Sequence, residues 1–298
     1  MTDMSKTGNY IRFDWAMKHT LRDKANFDIL EGLISVLLND DVKIEEILES
    51  ESNQDDESDK FNRVDIKAKN SKGHIILVEV QLTSQHHYLQ RILYGTCKTI
   101  TEHMKLGSKY DQVKKVYSIS ILYCEFGEGD DYIYKGETIF EGLHTKNQLK
   151  LKTREDGVIV THLPREVFPE YFLLRVNAFD KTPENFLDEW MDYLQNGTVR
   201  DDTKAPGLQQ VKEKLRLLSM TPQEKRAYDV HIDNLMQQND MYDTAIEKGF
   251  AQGREEGLAQ GREEGKAEQT KLLARKMLEN GVAPDQIKLI TGLDENDY

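Results

Sequence analysis

Residues 74–81 read HIILVEVQ, an apolar run broken by Glu79 and Gln81, and this stretch constrains the chain more than any other. Successive residues of a strand alternate faces, so Glu79 and Gln81 leave one side of an otherwise apolar strand and Val78 and Val80 leave the other. Residues 63–68 (RVDIKA) form a second strand-like run, and the intervening KNSKG has the composition of a turn, so the two runs are expected to pair as a hairpin. Such a hairpin brings Asp65 toward the face of Glu79. A third carboxylate comes from residues 27–38 (FDILEGLISVLL), where Ile29, Leu30, Leu33, Ile34, Leu37 and Leu38 recur at helical spacing around Glu31. A carboxylate near a core needs a partner or a metal to offset its desolvation. Three converging acids repel unless a hard divalent cation lies between them, and Mg²⁺ (or Mn²⁺) is the natural candidate. Taken alone, the acid spacing also fits an exposed strand face.

A helix is expected over residues 87–104 and a strand over 116–123 (VYSISILY). Strand, strand, helix, strand with a helix before them is an α/β layered pattern. Beyond Arg175 the texture is helical, over residues 184–194, 207–218 and 222–238, with Pro183, Pro206 and Pro222 at plausible starts. The expected organisation is a domain over 1–180, a helical extension over 181–245, and a third part over 246–298. That third part opens on a perfect eight-residue repeat, AQGREEGL then AQGREEGK, with Gly249, Gly253, Gly257, Gly261 and Gly265 at every fourth position. Each Gly costs a helix about 1 kcal/mol relative to Ala. The repeat therefore reads either as a surface helix able to self-associate weakly or as a flexible tail. The final GVAPDQIKLITGLDENDY is similar to the opening of a helix-turn-helix, but too few residues follow for a recognition helix, which leaves a small packing module.

Fifty-three acids against forty bases give a net charge of −13, which excludes a protein that coats nucleic acid by charge alone. Any DNA contact must come from a local patch, and residues 91–115 supply one: Arg91, Lys98, Lys105, Lys109, Lys114 and Lys115 against Glu102 and Asp111. The run from Glu45 to Asp59 holds eight acids and no base, and reads as a solvated loop. No apolar stretch approaches the roughly 18 residues of a membrane span, and residues 1–19 lack an apolar leader, so a cytoplasmic protein with no membrane partner is expected. Cys97 and Cys124 read as reduced, partly buried thiols.

Residues 64–81 (VDIKAKNSKGHIILVEVQ), 88–95 (YLQRILYG) and 106–122 (LGSKYDQVKKVYSISIL) together resemble the PD-(D/E)XK nuclease family transposases, or recombination-promoting nucleases. The resemblance extends back to Asp14, Lys18 and Asn26 ahead of Glu31. It extends forward through FLDEWMDYLQNG, KAPGL and the glycine repeat to the closing ITGL, so it covers practically the whole chain. It implies a restriction-endonuclease-like α/β core, a mixed β-sheet flanked by helices, followed by a helical C-terminal region. It also implies a Mg²⁺-dependent DNA endonuclease linked to recombination or mobile elements. Asp65 and Glu79 match the family's metal-binding acids, with the backbone carbonyl of Val80 as a further ligand, and Glu31 matches the acid of the first helix. Gln81 stands where the signature has Lys, a replacement common in this branch of the superfamily. It can orient water but carries no charge for the transition state. Lys18 or Lys67 can supply that charge, and Arg91 and Tyr94 are the residues expected to face substrate. The alternative is a catalytically silent nucleic-acid or protein interaction module that keeps the fold.

Overall fold

Parallel strands are covered on both faces and so carry near-continuous apolar runs. That is why HIILV and VYSISIL become neighbouring central strands, β3 (Ile75–Gln81) and β4 (Val116–Leu122), joined by the crossover helix α3 (Tyr88–Glu102). The structure is a computed structural model that describes residues 10–48, 64–104, 107, 109–155 and 158–298. Its principal sheet has six strands in the order β1-β2-β3-β4-β8-β5, where β1 is Ile44–Leu48, β2 Ile66–Asn70, β5 Ile133–Gly136 and β8 Glu170–Arg175. The β3/β4 and β4/β8 pairs are parallel and the other three antiparallel, so the sheet is mixed. Strands β6 (Leu151–Glu155) and β7 (Val158–His162) pair separately as a two-stranded sheet.

The expected hairpin is present as β2 and β3, with Ile66 opposite Val78 and Lys67 opposite Leu77. Its first strand starts later than the sequence suggests: Asp65 lies in a bend just before β2, and Arg63 falls outside the described residues. Strand β1 corrects the reading of the acidic run, because Glu45 and Glu46 are strand residues at the sheet edge, each paired with Lys69. The remaining acids of that run, from Glu49 onward, lie outside the described residues.

Helix α2 (Phe27–Leu38) matches its expected span and buries Ile29, Leu30, Leu33 and Ile34 completely. Each such side chain contributes about 1.5–3 kcal/mol by leaving water. On the same helix Gly32 meets the backbone of Pro206 and Gly207 so closely that a Cβ there would collide with both. This contact brings α5 (Leu208–Lys214) onto α2, and α4 (Phe186–Asn196) packs there as well, with Trp190 donating to the Pro206 carbonyl at 3.0 Å. Edge-on rings of Trp190 and Tyr193 tie α4 to Phe13 of α1 (Phe13–His19) at 6.2 and 6.3 Å. These contacts lie within the first compact unit, Met1–Tyr228.

The second compact unit is Asp229–Tyr298. The helix expected at 222–238 and the glycine repeat are one element, α6 (Pro222–Glu279), whose 58 residues span roughly 87 Å. The repeat is helical rather than a tail. A methyl group added at any of its five glycines would meet nothing within 4 Å, and Gln252–Glu256 and Gln260–Glu264 hydrogen bonds recur with the eight-residue period. Each such pair offsets part of the glycine cost by about 0.2–0.5 kcal/mol. Helix α7 (Pro284–Thr291) ends at Gly292 in the left-handed conformation. Among the described residues no helix is long and apolar enough to cross a membrane.

Candidate functional site

Register decides which side of β3 matters. Lys67 lies opposite Leu77, so Lys67, Leu77 and Glu79 share a face, the one on which Ile75 and Leu77 pack with Ile100 of α3. At the β2 start, the bend at Asp65 turns its carboxylate toward β3, where Oδ2 accepts the Val80 N–H at 2.7 Å. Asp65 and Glu79 therefore meet at one end of the hairpin, close enough for each charge to act on the other. The first turn of α3 closes the site. Arg91 forms an ion pair with Glu79 Oε1 and donates to Gln85 Oε1 at 3.0 Å.

Glu79 is only 8 % exposed. Burial pushes its carboxyl up to about 7 against the pull of the Arg91 guanidinium, with the like charge of Asp65 adding to the rise. Beside it lies a gap of about 10 Å³, lined by Leu77, Arg91, Ile92, Gly95 and Ser118, with room for about one water. Tyr88 approaches from α3 and Ser120 stands opposite Glu79 on β4. Burial, and then the charge of Glu79, raise the Tyr88 hydroxyl above its ordinary pKa, so it remains a donor.

The structure does not bring every expected residue here. Glu31 stands apart from Asp65 and Glu79: its Oε1 accepts the Ile44 N–H at 2.8 Å and its Oε2 meets Lys43 at 3.2 Å. Ile44 pairs with Asn70, five residues along β2 from Asp65, so Glu31 anchors the far end of the hairpin, roughly 16 Å away at about 3.3 Å per residue. The desolvation problem read from its helical spacing is solved by a backbone amide and a lysine. Among the described residues no group of three or more His, Cys, Asp or Glu side chains could hold a metal together. Gln81 is on the expected strand, and its amide donates to the Thr83 carbonyl at 2.6 Å. Lys67 shares the face of Glu79, yet its ammonium is committed to Glu102 at 2.7 Å. Lys18 and Tyr94 are exposed. The basic patch is also smaller than its count suggests. Lys115 is 5 % exposed and clips Glu170 and the carbonyls of Arg165 and Phe168, while Lys105 is outside the described residues. Cys97 is exposed and Cys124 half-buried, both free.

Two contributors escape the sequence. Arg22 donates to the Asp65 carbonyl at 2.6 Å, fixing the bend that aims the carboxylate. Tyr88 precedes Arg91 by three residues, one helical turn, and that spacing is the signal that could have found it. A larger, open concavity of about 840 Å³ lies elsewhere among Glu31, Asp40, Asp41, Lys43 and Phe186. It contains neither Asp65 nor Glu79, and its size does not outweigh the perturbed, paired acids as the marker of chemistry.

The family model for the PD-(D/E)XK nuclease family transposases matches residues 11–245. The chain belongs to this family. Among curated proteins and among solved structures, nothing matches it. The mixed six-stranded sheet flanked by helices is consistent with a PD-(D/E)XK nuclease-like fold, and membership makes a nuclease- or transposase-related function the coarse assignment.

Proposed function

We propose that this PD-(D/E)XK family member is a divalent-metal-dependent DNA endonuclease, with Asp65, Glu79 and the Val80 carbonyl as the metal-holding groups. The supporting observation is the meeting of two carboxylates at the hairpin end with a guanidinium held on one of them. The donor set suits Mg²⁺ or Mn²⁺, which take one or two carboxylates and keep several waters and phosphate oxygens. The Arg91 ion pair marks a position where the fold already accommodates a positive charge. A bound ion supplies Lewis acidity and lowers the pKa of a coordinated water. Within the chain, Arg22 and the Val80 amide orient Asp65, and burial under α3 limits water around Glu79. Arg91 is long enough to turn from Glu79 to a backbone phosphate, which it can bind through two N–H groups. Gln81 keeps a carbonyl oxygen with which to orient water, Lys18 and Tyr94 stand exposed for outer contacts, and Glu31 has no part in the reaction. The reading includes a cytoplasmic setting and weak self-association through the glycine ridge of α6. A catalytically silent module is the second reading, favoured by the displacement of Glu31 and the engagement of Gln81 with its own loop.

Nicking of supercoiled plasmid separates the two. The wild-type chain is expected to nick with Mg²⁺ or Mn²⁺ and stop in EDTA, and Asp65→Ala is expected to be inactive. Cleavage that persists in EDTA or in Asp65→Ala would refute the assignment, and a metal-loaded wild type that never nicks favours the silent module.

A further inference from the structure

The first turn of α3 carries a hydroxyl that the fold leaves unsatisfied. Tyr88 is 1 % exposed, its ring held edge-on by Phe126 at 5.6 Å and packed with Ile92 and Leu122. Its Oη has no hydrogen-bond partner. The hydroxyl lies beside Glu79 and Ser120, which face each other across β3 and β4. A buried unpaired hydroxyl lowers stability, and phenylalanine would fill the same apolar shell without that cost. The hydroxyl is explained if its acceptor becomes available in another state of the site. Of its two neighbours, Glu79 is the one whose bonding must change, because its Oε1 is held by Arg91 and the same carboxylate is a proposed metal ligand.

We propose that Tyr88 is a positioning residue for Glu79: its hydroxyl donates to the carboxylate and fixes its orientation when a divalent cation replaces Arg91 as the counter-charge. This rests on the two-acid metal site proposed above. A carboxylate that ligates through one oxygen leaves lone pairs on the other, and a rigid donor at that oxygen restricts the group to the ligating rotamer. The ring is locked by packing, so the donor is already in place before the ion arrives.

The test is Mn²⁺ binding to the full-length protein without DNA, followed by the electron paramagnetic resonance of free Mn²⁺, with the thermal midpoint of each metal-free variant. Tyr88→Phe is expected to weaken Mn²⁺ binding about tenfold while leaving the metal-free midpoint equal or higher. Ser120→Ala is expected to bind Mn²⁺ as the wild type does. Unchanged affinity in Tyr88→Phe overturns the proposal, as does an equal loss in Ser120→Ala. A lowered metal-free midpoint in Tyr88→Phe also overturns it, because the hydroxyl would then be serving the fold itself. If the wild type binds no more Mn²⁺ than Asp65→Ala, the two-acid site fails first and the Tyr88 role fails with it.

Discussion

Replacing Glu79 by glutamine removes a titration that should dominate the pH dependence of the metal-free protein. In the unfolded chain the carboxyl ionises near 4.5, whereas in the folded chain burial holds it protonated up to about 7. Between those values the folded state keeps a proton that the unfolded state has released, so stability falls as pH rises and levels off above 7. At 1.36 kcal/mol per pKa unit the loss is about 3 kcal/mol. The assay is urea unfolding in EDTA across pH 4.5–8, read by fluorescence of Trp15 and Trp190, both buried in the first unit. The stability difference between Glu79→Gln and the wild type should grow in favour of the variant by about 3 kcal/mol over that range. Excess Mn²⁺ should flatten the wild-type curve, since a bound cation favours the ionised carboxylate. Parallel curves for the two proteins would refute the placement of Glu79 in a desolvated site beside Asp65.

Gly32→Ala should destabilise the first unit by about 1–3 kcal/mol, because the added methyl meets the backbone of Pro206 and Gly207; thermal melting checks this, and an unchanged midpoint would show that α2 and α5 do not touch there. Gln81→Lys should retain or raise the nicking rate if this position faces the scissile phosphate, whereas a folded but slower variant would place it elsewhere. Truncation after Glu247 should leave a folded chain that binds Mn²⁺ and shift any dimer toward monomer in light scattering. Exposed Arg–Glu pairs between ridges contribute only about 0–1 kcal/mol each, so the full-length association should weaken in salt; equal masses with and without the tail would remove the ridge as a contact.

The parts of the fold legible in the sequence are those whose residues are buried by their own apolar runs. Strands β3 and β4 and helices α2 and α3 fall within two residues of expectation because their periodicity is strong and their ends carry turn or polar residues. Strand β1 is hidden because only Ile44, Ile47 and Leu48 of it are apolar, while Glu45 and Glu46 imitate a solvated run, although Glu46 pairs with Lys69 in the ladder and Lys69 meets both charges. Lys115 imitates a phosphate contact for a similar reason: its acceptors, Glu170 and two carbonyls, lie fifty or more residues away, on and beside a strand that the sequence does not reveal. The approach of Asp65 to Glu79 is readable because a hairpin joins residues close in sequence. The fate of Glu31 is not, since helical spacing places its Cβ but cannot show that Ile44 offers an amide. Arg22 enters through tertiary packing alone, and only the folded chain shows the unpaired hydroxyl of Tyr88.

The acids at the start of β2 and the end of β3 are the expected binding place of a divalent cation. Anomalous scattering from a crystal of the full-length protein soaked in Mn²⁺ tests this directly. The expected result is one strong peak in contact with the carboxylates of Asp65 and Glu79 and the Val80 carbonyl, with Arg91 displaced from Glu79. A peak among Asp40, Asp41 and Glu31 instead, or an unmoved Arg91 with no peak at the hairpin end, would contradict it.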